Sequence, residues 1–248
     1  MQRTDEWIKN FNEDYFNRQF KEPYRSTVAF CDWLDKIGVL KTDSSIDILD
    51  VATGKGSNIY YMSQRYKNAR FMGVDINESF VEEGNAIMKV KNVADRCILE
   101  TADIYNFDKK LYNAYEGIVC YQTLSWLPDY KEPLKAMTAL GARWIALTSL
   151  FFDGDVNCRI ELEEYNKGID NAPKNTFYNV YSLPLIQRFF AANGYSKFMF
   201  IPFEIDIDIP KPDHRIMGTY TEKLENGHRI QVSGPLLMNW YFVIAIRS

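Results

Sequence analysis

The stretch that decides the fold is Asp47-Ile48-Leu49-Asp50-Val51-Ala52-Thr53-Gly54-Lys55-Gly56-Ser57-Asn58, an apolar run that passes directly into a turn of small residues. The run predicts a buried strand over 46–51 and a helix that begins near Ser57. Gly54 and Gly56 let the backbone turn tightly and let a ligand approach it, while the free amides of the helix start point into the same space. A nucleotide-like ligand fits such a junction, although two glycines alone are as typical of a structural turn.

Acidic residues also follow the next two strand-like runs. Phe71-Met72-Gly73-Val74 leads into Asp75, which lies 25 positions after Asp50. A carboxylate at the tip of the neighbouring strand is placed to hold the two hydroxyls of a ribose. Asp103 follows Leu99-Glu100-Thr101-Ala102 and is placed to receive the amino group of an adenine.

Strand-like and helix-like patterns alternate from residue 45 onward, which is the signature of a parallel sheet with right-handed crossovers. They predict strands over 46–51, 70–75, 97–101, 116–121 and 143–149, and helices over 57–67, 78–91 and 132–140. Ser182 is expected to cap a further helix that stops at Asn193-Gly194, and a long strand is expected over Lys197 to Ile209. Ligands bind at the carboxyl ends of such strands, where all three acids and Gln122 fall.

These residues resemble the class I S-adenosylmethionine-dependent methyltransferases, whose first strand ends in an acid-x-Gly-x-Gly-x-Gly loop. Ala52 replaces the first glycine of that loop, and we expect it to keep a negative φ because it carries a side chain. The resemblance implies S-adenosylmethionine as cofactor and S-adenosylhomocysteine as product. The residues that we expect at the cofactor are Tyr15, Asp50, Ala52, Thr53, Gly54, Asn58, Asp75, Ile76, Asp103, Ile104, Tyr121, Gln122 and Trp126.

The expected architecture is a single α/β domain over 1–248, with a Rossmann-like, doubly wound, mostly parallel seven-stranded sheet. A helical cover over 1–44 precedes the core over 45–209, a β-hairpin insertion occupies 210–235, and a final strand covers 236–248. The hairpin, whose turn is Glu225-Asn226-Gly227, either caps the substrate pocket or pairs with a second subunit in a homodimer. A nicotinamide-binding Rossmann domain is the competing interpretation, but Ile59 stands where its third glycine belongs.

The first 44 residues carry two amphipathic helical patterns, broken near Lys21-Glu22-Pro23. One interpretation is that they only pack against the sheet. The resemblance implies instead that the segment folds over the cofactor and the substrate, with Tyr15 among the aromatic residues that line the cover. Such an aromatic face also stabilises a sulfonium cation.

Composition restricts the partners. The chain has 248 residues, of which 46% are hydrophobic and 25% charged, as is ordinary for a globular protein. No apolar run approaches the ~20 residues that span a bilayer, and we expect a cytoplasmic protein without a membrane partner. The net charge of −4 is unfavourable for nucleic-acid binding, and the four cysteines lack the paired spacing of a zinc site, so no metal is expected.

Methyl transfer from a sulfonium is an in-line displacement that depends mainly on positioning, although a hydroxyl acceptor also benefits from a general base. His214, Tyr178 and Asp153 are the predicted catalytic residues. Glu204, with the two aspartates that follow it at alternate positions, is expected on the solvated face of a strand. We expect methylation of an oxygen in a small molecule such as a sugar or a nucleotide-linked sugar. The alternatives are an RNA or protein methyltransferase and a non-catalytic member that only binds the cofactor.

Overall fold

The computed structural model describes residues 18–164, 174–211 and 218–247. In chain order its strands are β1 (Asp47–Val51), β2 (Arg70–Asp75), β3 (Cys97–Thr101), β4 (Gly117–Tyr121), β5 (Trp144–Ser149), β6 (Phe151–Phe152), β7 (Glu161–Glu164), β8 (Lys174–Phe177), β9 (Tyr181–Ser182), β10 (Lys197–Phe203), β11 (Thr219–Lys223), β12 (Arg229–Ser233), β13 (Leu236–Leu237) and β14 (Trp240–Ile246). The central sheet has seven strands in the order β10-β14-β5-β4-β1-β2-β3. Within it β14 runs antiparallel to both of its neighbours. This arrangement confirms the predicted mostly parallel sheet.

The helices of the described residues are α1 (Arg25–Lys36), α2 (Ser57–Arg65), α3 (Glu78–Val90), α4 (Lys131–Ala139) and α5 (Leu183–Ala192). Helix α2 begins at Ser57, as predicted. The Ser182 hydroxyl accepts a hydrogen bond from the Leu185 N–H at 3.2 Å, so it is the predicted cap of α5. The break predicted near Pro23 precedes α1, and most of the first predicted helix lies outside the described residues.

No helix among the described residues combines the length and the apolar character needed to cross a membrane.

Helices cover both faces of the sheet and divide its apolar side chains into two clusters. The first cluster contains Phe30 of α1 and Ile59 of α2. The second cluster contains Leu134 of α4 and Ile186 of α5. Because the helices occupy the two faces, the carboxyl edge of the parallel strands is left for the loops that follow them.

The strand predicted from Lys197 to Ile209 is wrong beyond Phe203. Strand β10 ends there because Phe203 pairs with Trp240, the first residue of its partner β14. The chain continues as a strap, residues 204–209, in which Glu204 and Asp208 contact the hairpin and Asp206 contacts Arg25 of α1. The Glu204 carboxylate accepts the Arg229 N–H at 3.1 Å, and Asp208 accepts from Arg229 Nε at 2.7 Å. Glu204, Asp206 and Asp208 are exposed, as predicted, but they lie in the strap and not on the face of a strand.

The predicted hairpin is present as β11 and β12, which pair antiparallel. Its turn closes with a hydrogen bond of 2.8 Å from the Leu224 N–H to the His228 carbonyl, and Gly227 has a φ of +86°. The final run did not form one strand as expected, because β13 pairs with β12 whereas β14 joins the central sheet. The hairpin therefore continues directly into the strand that enters the sheet beside β5.

Candidate functional site

The loop between β1 and α2 turns through left-handed backbone at alternate residues. Ala52 has a φ of +60°, Gly54 of +58° and Gly56 of +83°. The prediction of a negative φ at Ala52 is therefore wrong. The turn directs the Thr53 N–H to the Val74 carbonyl of β2 at 3.0 Å, and alanine can adopt this conformation at a cost of ~1–2 kcal/mol. The loop is thus anchored to the neighbouring strand.

Asp50 lies in the buried part of β1 and is 0% exposed. Its Oδ2 accepts the Thr53 hydroxyl at 2.7 Å, whereas Oδ1 has no hydrogen-bond partner among the described residues. Burial raises the pKa of Asp50 to about 7, with the Asp75 charge acting in the same direction and the Thr53 hydrogen bond opposing it. A buried carboxylate oxygen without a partner suits a ligand that brings a donor. The ammonium of the methionine part of S-adenosylmethionine is such a donor, so this residue fits the cofactor.

Asp75 is fixed at the tip of β2 by the backbone. Its Oδ2 accepts the Gly54 N–H at 2.8 Å, and its Oδ1 accepts the Asn77 N–H at 2.9 Å. Burial raises the pKa of Asp75, and these backbone N–H groups, with that of Ile76, oppose the rise. A carboxylate has about four acceptor sites, so this group can also receive ribose hydroxyls. Ile76 is 43% exposed beside it and offers an apolar surface to a base.

Asp103 and Ile104 follow β3, the edge strand next to β2. The Ala102 N–H donates to the Asp75 carbonyl at 2.9 Å, which brings the two strand ends together. Asp103 Oδ1 accepts the Tyr105 N–H at 2.9 Å, and both Asp103 and Ile104 are half-buried. The structure therefore groups Asp50, Asp75 and Asp103 at one edge, as the spacing predicts.

Tyr121 ends β4, and Gln122 follows it, against α1. The Tyr121 ring lies 5.2 Å from the Phe30 ring, edge to face, and its hydroxyl lies 3.3 Å from Met62 Sδ. Gln122 has a φ of +50°, and its Nε2 lies 3.4 Å from Ser26 Oγ. The start of α1 therefore contacts the centre of the carboxyl edge.

Trp126 and Tyr178 form an aromatic pair beyond β4. Their ring centroids are 4.7 Å apart, and Tyr178 is 2% exposed. Buried polar contacts fix the turn that carries Trp126: Ser125 Oγ lies 2.6 Å from Ser149 Oγ, and the Asn179 N–H donates to the Ser125 carbonyl at 2.8 Å. Sequence reasoning missed Ser125, Ser149 and Asn179, since serine and asparagine in loops carry no distinct signal.

Asp153, the other predicted catalytic residue that the structure describes, does not join Tyr178. Asp153 is exposed in the turn after β6. Burial raises the pKa of Tyr241, and the Asp153 charge raises it further. Tyr241 packs with the second cluster, whereas Tyr178 belongs to the first, on the other face of the sheet. His214 and Tyr15 lie outside the described residues.

The segment before α1 lies over the start of α2. Gln19 is 8% exposed and accepts the Ser57 hydroxyl at 2.6 Å. Asn58, predicted at the cofactor, uses its Oδ1 to accept the Thr27 hydroxyl at 2.8 Å. Sequence reasoning missed both Gln19 and Thr27, whose partners lie more than thirty residues later.

Lys55, between the two glycines, is bound to α3. Its Nζ lies 2.5 Å from Glu83 Oε2 and 5.7 Å from the centre of the Phe80 ring. This buried contact lowers the pKa of Glu83, chiefly through the hydrogen bond from Lys55. The glycine loop is thereby held on both sides, by β2 and by α3.

Comparisons with known proteins agree with this geometry. Residues 48–141 match the family model described as a methyltransferase domain. An uncharacterized protein of Methanocaldococcus jannaschii is 28% identical over 132 residues, which cover 52% of this chain and 35% of that protein. The match thus spans about a third of that relative's length.

Similar solved structures share the fold. A SAM-dependent methyltransferase from Aquifex aeolicus has a TM-score of 0.54 and 12% identity, with 96% of this chain and 100% of that chain covered. TehB from Haemophilus influenzae has a TM-score of 0.54 and 19% identity, with 95% of this chain and 67% of that chain covered. The family match over residues 48–141 and the shared fold confirm the predicted resemblance to class I S-adenosylmethionine-dependent methyltransferases.

Proposed function

We propose that the protein transfers the methyl group of S-adenosylmethionine to an oxygen of a small-molecule acceptor, such as a sugar, a nucleotide-linked sugar or another small metabolite. The observation that carries this proposal is the aromatic pair Trp126 and Tyr178, whose ring centroids lie 4.7 Å apart beyond β4, the strand that pairs with β1 and its Asp50. Aromatic faces bury the rings of small ligands with defined geometry. The net charge of −4 favours such an acceptor over a nucleic acid.

The cofactor supplies an electrophilic methyl group when it is bound. In this proposal Asp75 holds the ribose hydroxyls and Asp103 receives the adenine amino group. Ile76 and Ile104 flank the base, and Asp50 accepts from the ammonium. These residues position the cofactor, and the chain's main contribution is to align donor and acceptor and to exclude water.

A hydroxyl acceptor must lose its proton as the new bond forms. Of the described candidates, Tyr178 is buried beside Trp126 while Asp153 is exposed. We therefore assign to Tyr178 the hydrogen bond with the acceptor hydroxyl that loses its proton. Four expectations stay predictions: a catalytic role of His214, an N-terminal cover lined by Tyr15, a cytoplasmic location and a homodimer.

Two measurements test the proposal in sequence. The first is calorimetric titration with S-adenosylhomocysteine, with NAD as the control ligand. We expect micromolar binding of the first and none of the second, and binding of NAD alone would overturn the assignment. The second is incubation with S-adenosylmethionine carrying a deuterated methyl group and a small-molecule extract freed of protein and nucleic acid. A labelled O-methyl product supports the proposal, whereas label found only in added RNA or protein contradicts it.

A further inference from the structure

Gln231 is a buried polar residue of the hairpin with an unused hydrogen-bonding end. Its side chain lies in β12 and is 2% exposed. Nε2 contacts Ser233 Oγ, and Oε1 has no partner among the described residues. The two ends of an amide have nearly the same shape, so either end can be the one that contacts Ser233. In the orientation that the structure shows, the unpaired end is Oε1.

The surroundings of Gln231 connect it to the aromatic pair. Ser233 Oγ accepts the indole N–H of Trp240 at 3.2 Å. Trp240 begins the antiparallel strand β14, so it lies at the carboxyl edge of the parallel strands. It packs in the first cluster, to which Tyr178 belongs and against which Trp126 is packed. Gln231 is thus linked through Ser233 to Trp240, which packs in the same apolar cluster as Tyr178, the residue that the proposed acceptor contacts.

Contacts of α1 link the same region to the cofactor side. Arg25 Nη1 lies 3.2 Å from Asp206 of the strap. The next residue, Ser26, lies 3.4 Å from the Gln122 amide at the end of β4. One turn of α1 therefore contacts both the centre of the carboxyl edge and the strap that holds the hairpin.

A second unpaired group lies in β8. Thr176 of β8 is 4% exposed, and its hydroxyl has no partner among the described residues. It precedes Tyr178 by two positions, and Leu162, opposite it in β7, packs against the first cluster. Apart from Asp50 at the cofactor loop, Thr176 and Gln231 are the buried side chains with an unpaired polar atom in the described part of the chain. Both border the same apolar cluster.

An unpaired buried polar atom is costly to a folded protein, and a bound ligand that pairs it removes this cost. We propose that the free end of the Gln231 amide binds a neutral hydrogen-bonding group of the acceptor, a hydroxyl or an amide, and so selects the acceptor. An amide suits this role because it carries no charge and can donate or accept. The inference rests on the proposed function, since it concerns the same acceptor.

The test uses the full chain and three variants. Gln231→Met keeps the length of the side chain and removes its polar end, and Gln231→Glu keeps its shape and serves if the first variant does not fold. Gln64→Met makes the same chemical change on the exposed surface of α2 and is the matched control. The probe is the labelled small-molecule extract described above, followed by steady-state kinetics with the unmethylated precursor of the product found.

We expect Gln231→Met to lower kcat/KM for that precursor about tenfold while the Kd for S-adenosylhomocysteine and the melting temperature stay unchanged or improve. Gln64→Met should behave as the wild type. An unchanged kcat/KM in the Gln231 variants, with or without a lower melting temperature, would show a purely structural residue and overturn the inference alone. Failure of the wild type to label any small molecule would instead overturn the proposed function, and the inference with it.

Discussion

The carboxylate of Asp75 receives the backbone N–H of Gly54 at 2.8 Å, so the tip of β2 holds the glycine loop that follows β1. Asp75→Asn keeps the shape of the side chain but replaces one acceptor oxygen with a donor, which then faces a backbone N–H. We expect the Kd for S-adenosylhomocysteine to rise at least about tenfold by titration calorimetry, because loop geometry and the ribose contact are both weakened.

The control for this change is Asp108→Asn. Asp108 accepts the Lys110 N–H at 2.9 Å in an exposed turn and is not among the residues assigned to the cofactor, so the change to asparagine there should leave the Kd unchanged. An Asp75→Asn protein that binds as tightly as the wild type would remove our assignment of the ribose contact.

The left-handed backbone at Ala52 predicts an unusual effect of glycine. Ala52→Gly relieves the strain of a φ of +60° but gives the unfolded chain more freedom. The net expectation is a stabilisation of about 0.5–1 kcal/mol in urea unfolding. Ala86→Gly, in the exposed middle of α3, should instead cost about 1 kcal/mol. Equal destabilisation by both changes would contradict the conformation described for Ala52.

The pKa of Asp50 predicts how stability depends on pH. Because this pKa is raised to about 7, the folded protein keeps a proton that the unfolded chain has already released above its ordinary pKa of about 4. The contribution of Asp50 to the free energy of unfolding therefore falls as pH rises from about 4 to about 7, then levels off. Asp50→Asn removes this contribution, so its stability relative to the wild type should increase across that window.

Urea unfolding of both proteins in steps between these pH values measures the difference. This difference in the free energy of unfolding changes by at most about 4 kcal/mol over the window, because the pKa of Asp50 is raised to about 7 from an ordinary value of about 4. A difference that stays constant with pH would show that Asp50 is already ionised when the protein is folded and without ligand.

Gly73 of β2 predicts a steric effect at the same loop. A methyl group there would lie 2.7 Å from Thr53 Cγ2 and 2.9 Å from Thr53 Oγ1. Gly73→Ala should therefore displace Thr53 from Asp50, destabilise the fold by about 1–3 kcal/mol and weaken binding of S-adenosylhomocysteine. Adding Thr53→Ser removes the nearest atom and should restore part of both losses. A double variant no better than Gly73→Ala would place the strain elsewhere.

Local patterns explain what the sequence predicted well. The periodicity of apolar residues marks each core strand and helix, and chain order alone brings Asp50, Asp75 and Asp103 to one edge. The φ of Ala52 could not be read this way, because it is set by a hydrogen bond from the next residue to a carbonyl on another strand. The end of β10 likewise depends on where its partner β14 begins.

Contacts between residues far apart in the sequence could not be predicted, and the proposed acceptor site depends on such contacts. Trp126 meets Tyr178 from another loop, and Glu204 meets Arg229 beyond the hairpin turn. Such pairs leave no regular spacing in the sequence. The glycine loop is continuous in the chain, so local sequence predicted it. Trp126 and Tyr178 were each named from the sequence, but their contact with one another was not predicted, because they lie in separate segments.

The reversed direction of β14 has an evolutionary consequence. Because this strand enters the sheet from the carboxyl edge, any segment spliced in just before Trp240 arrives beside the reacting groups without disturbing the loop at Asp50. In the proposed function, donor recognition and acceptor recognition therefore lie in separate segments of the chain. We expect variants diversified over residues 218–233 to methylate new acceptors while their affinity for the cofactor stays unchanged. This hairpin is therefore the natural target for directed evolution.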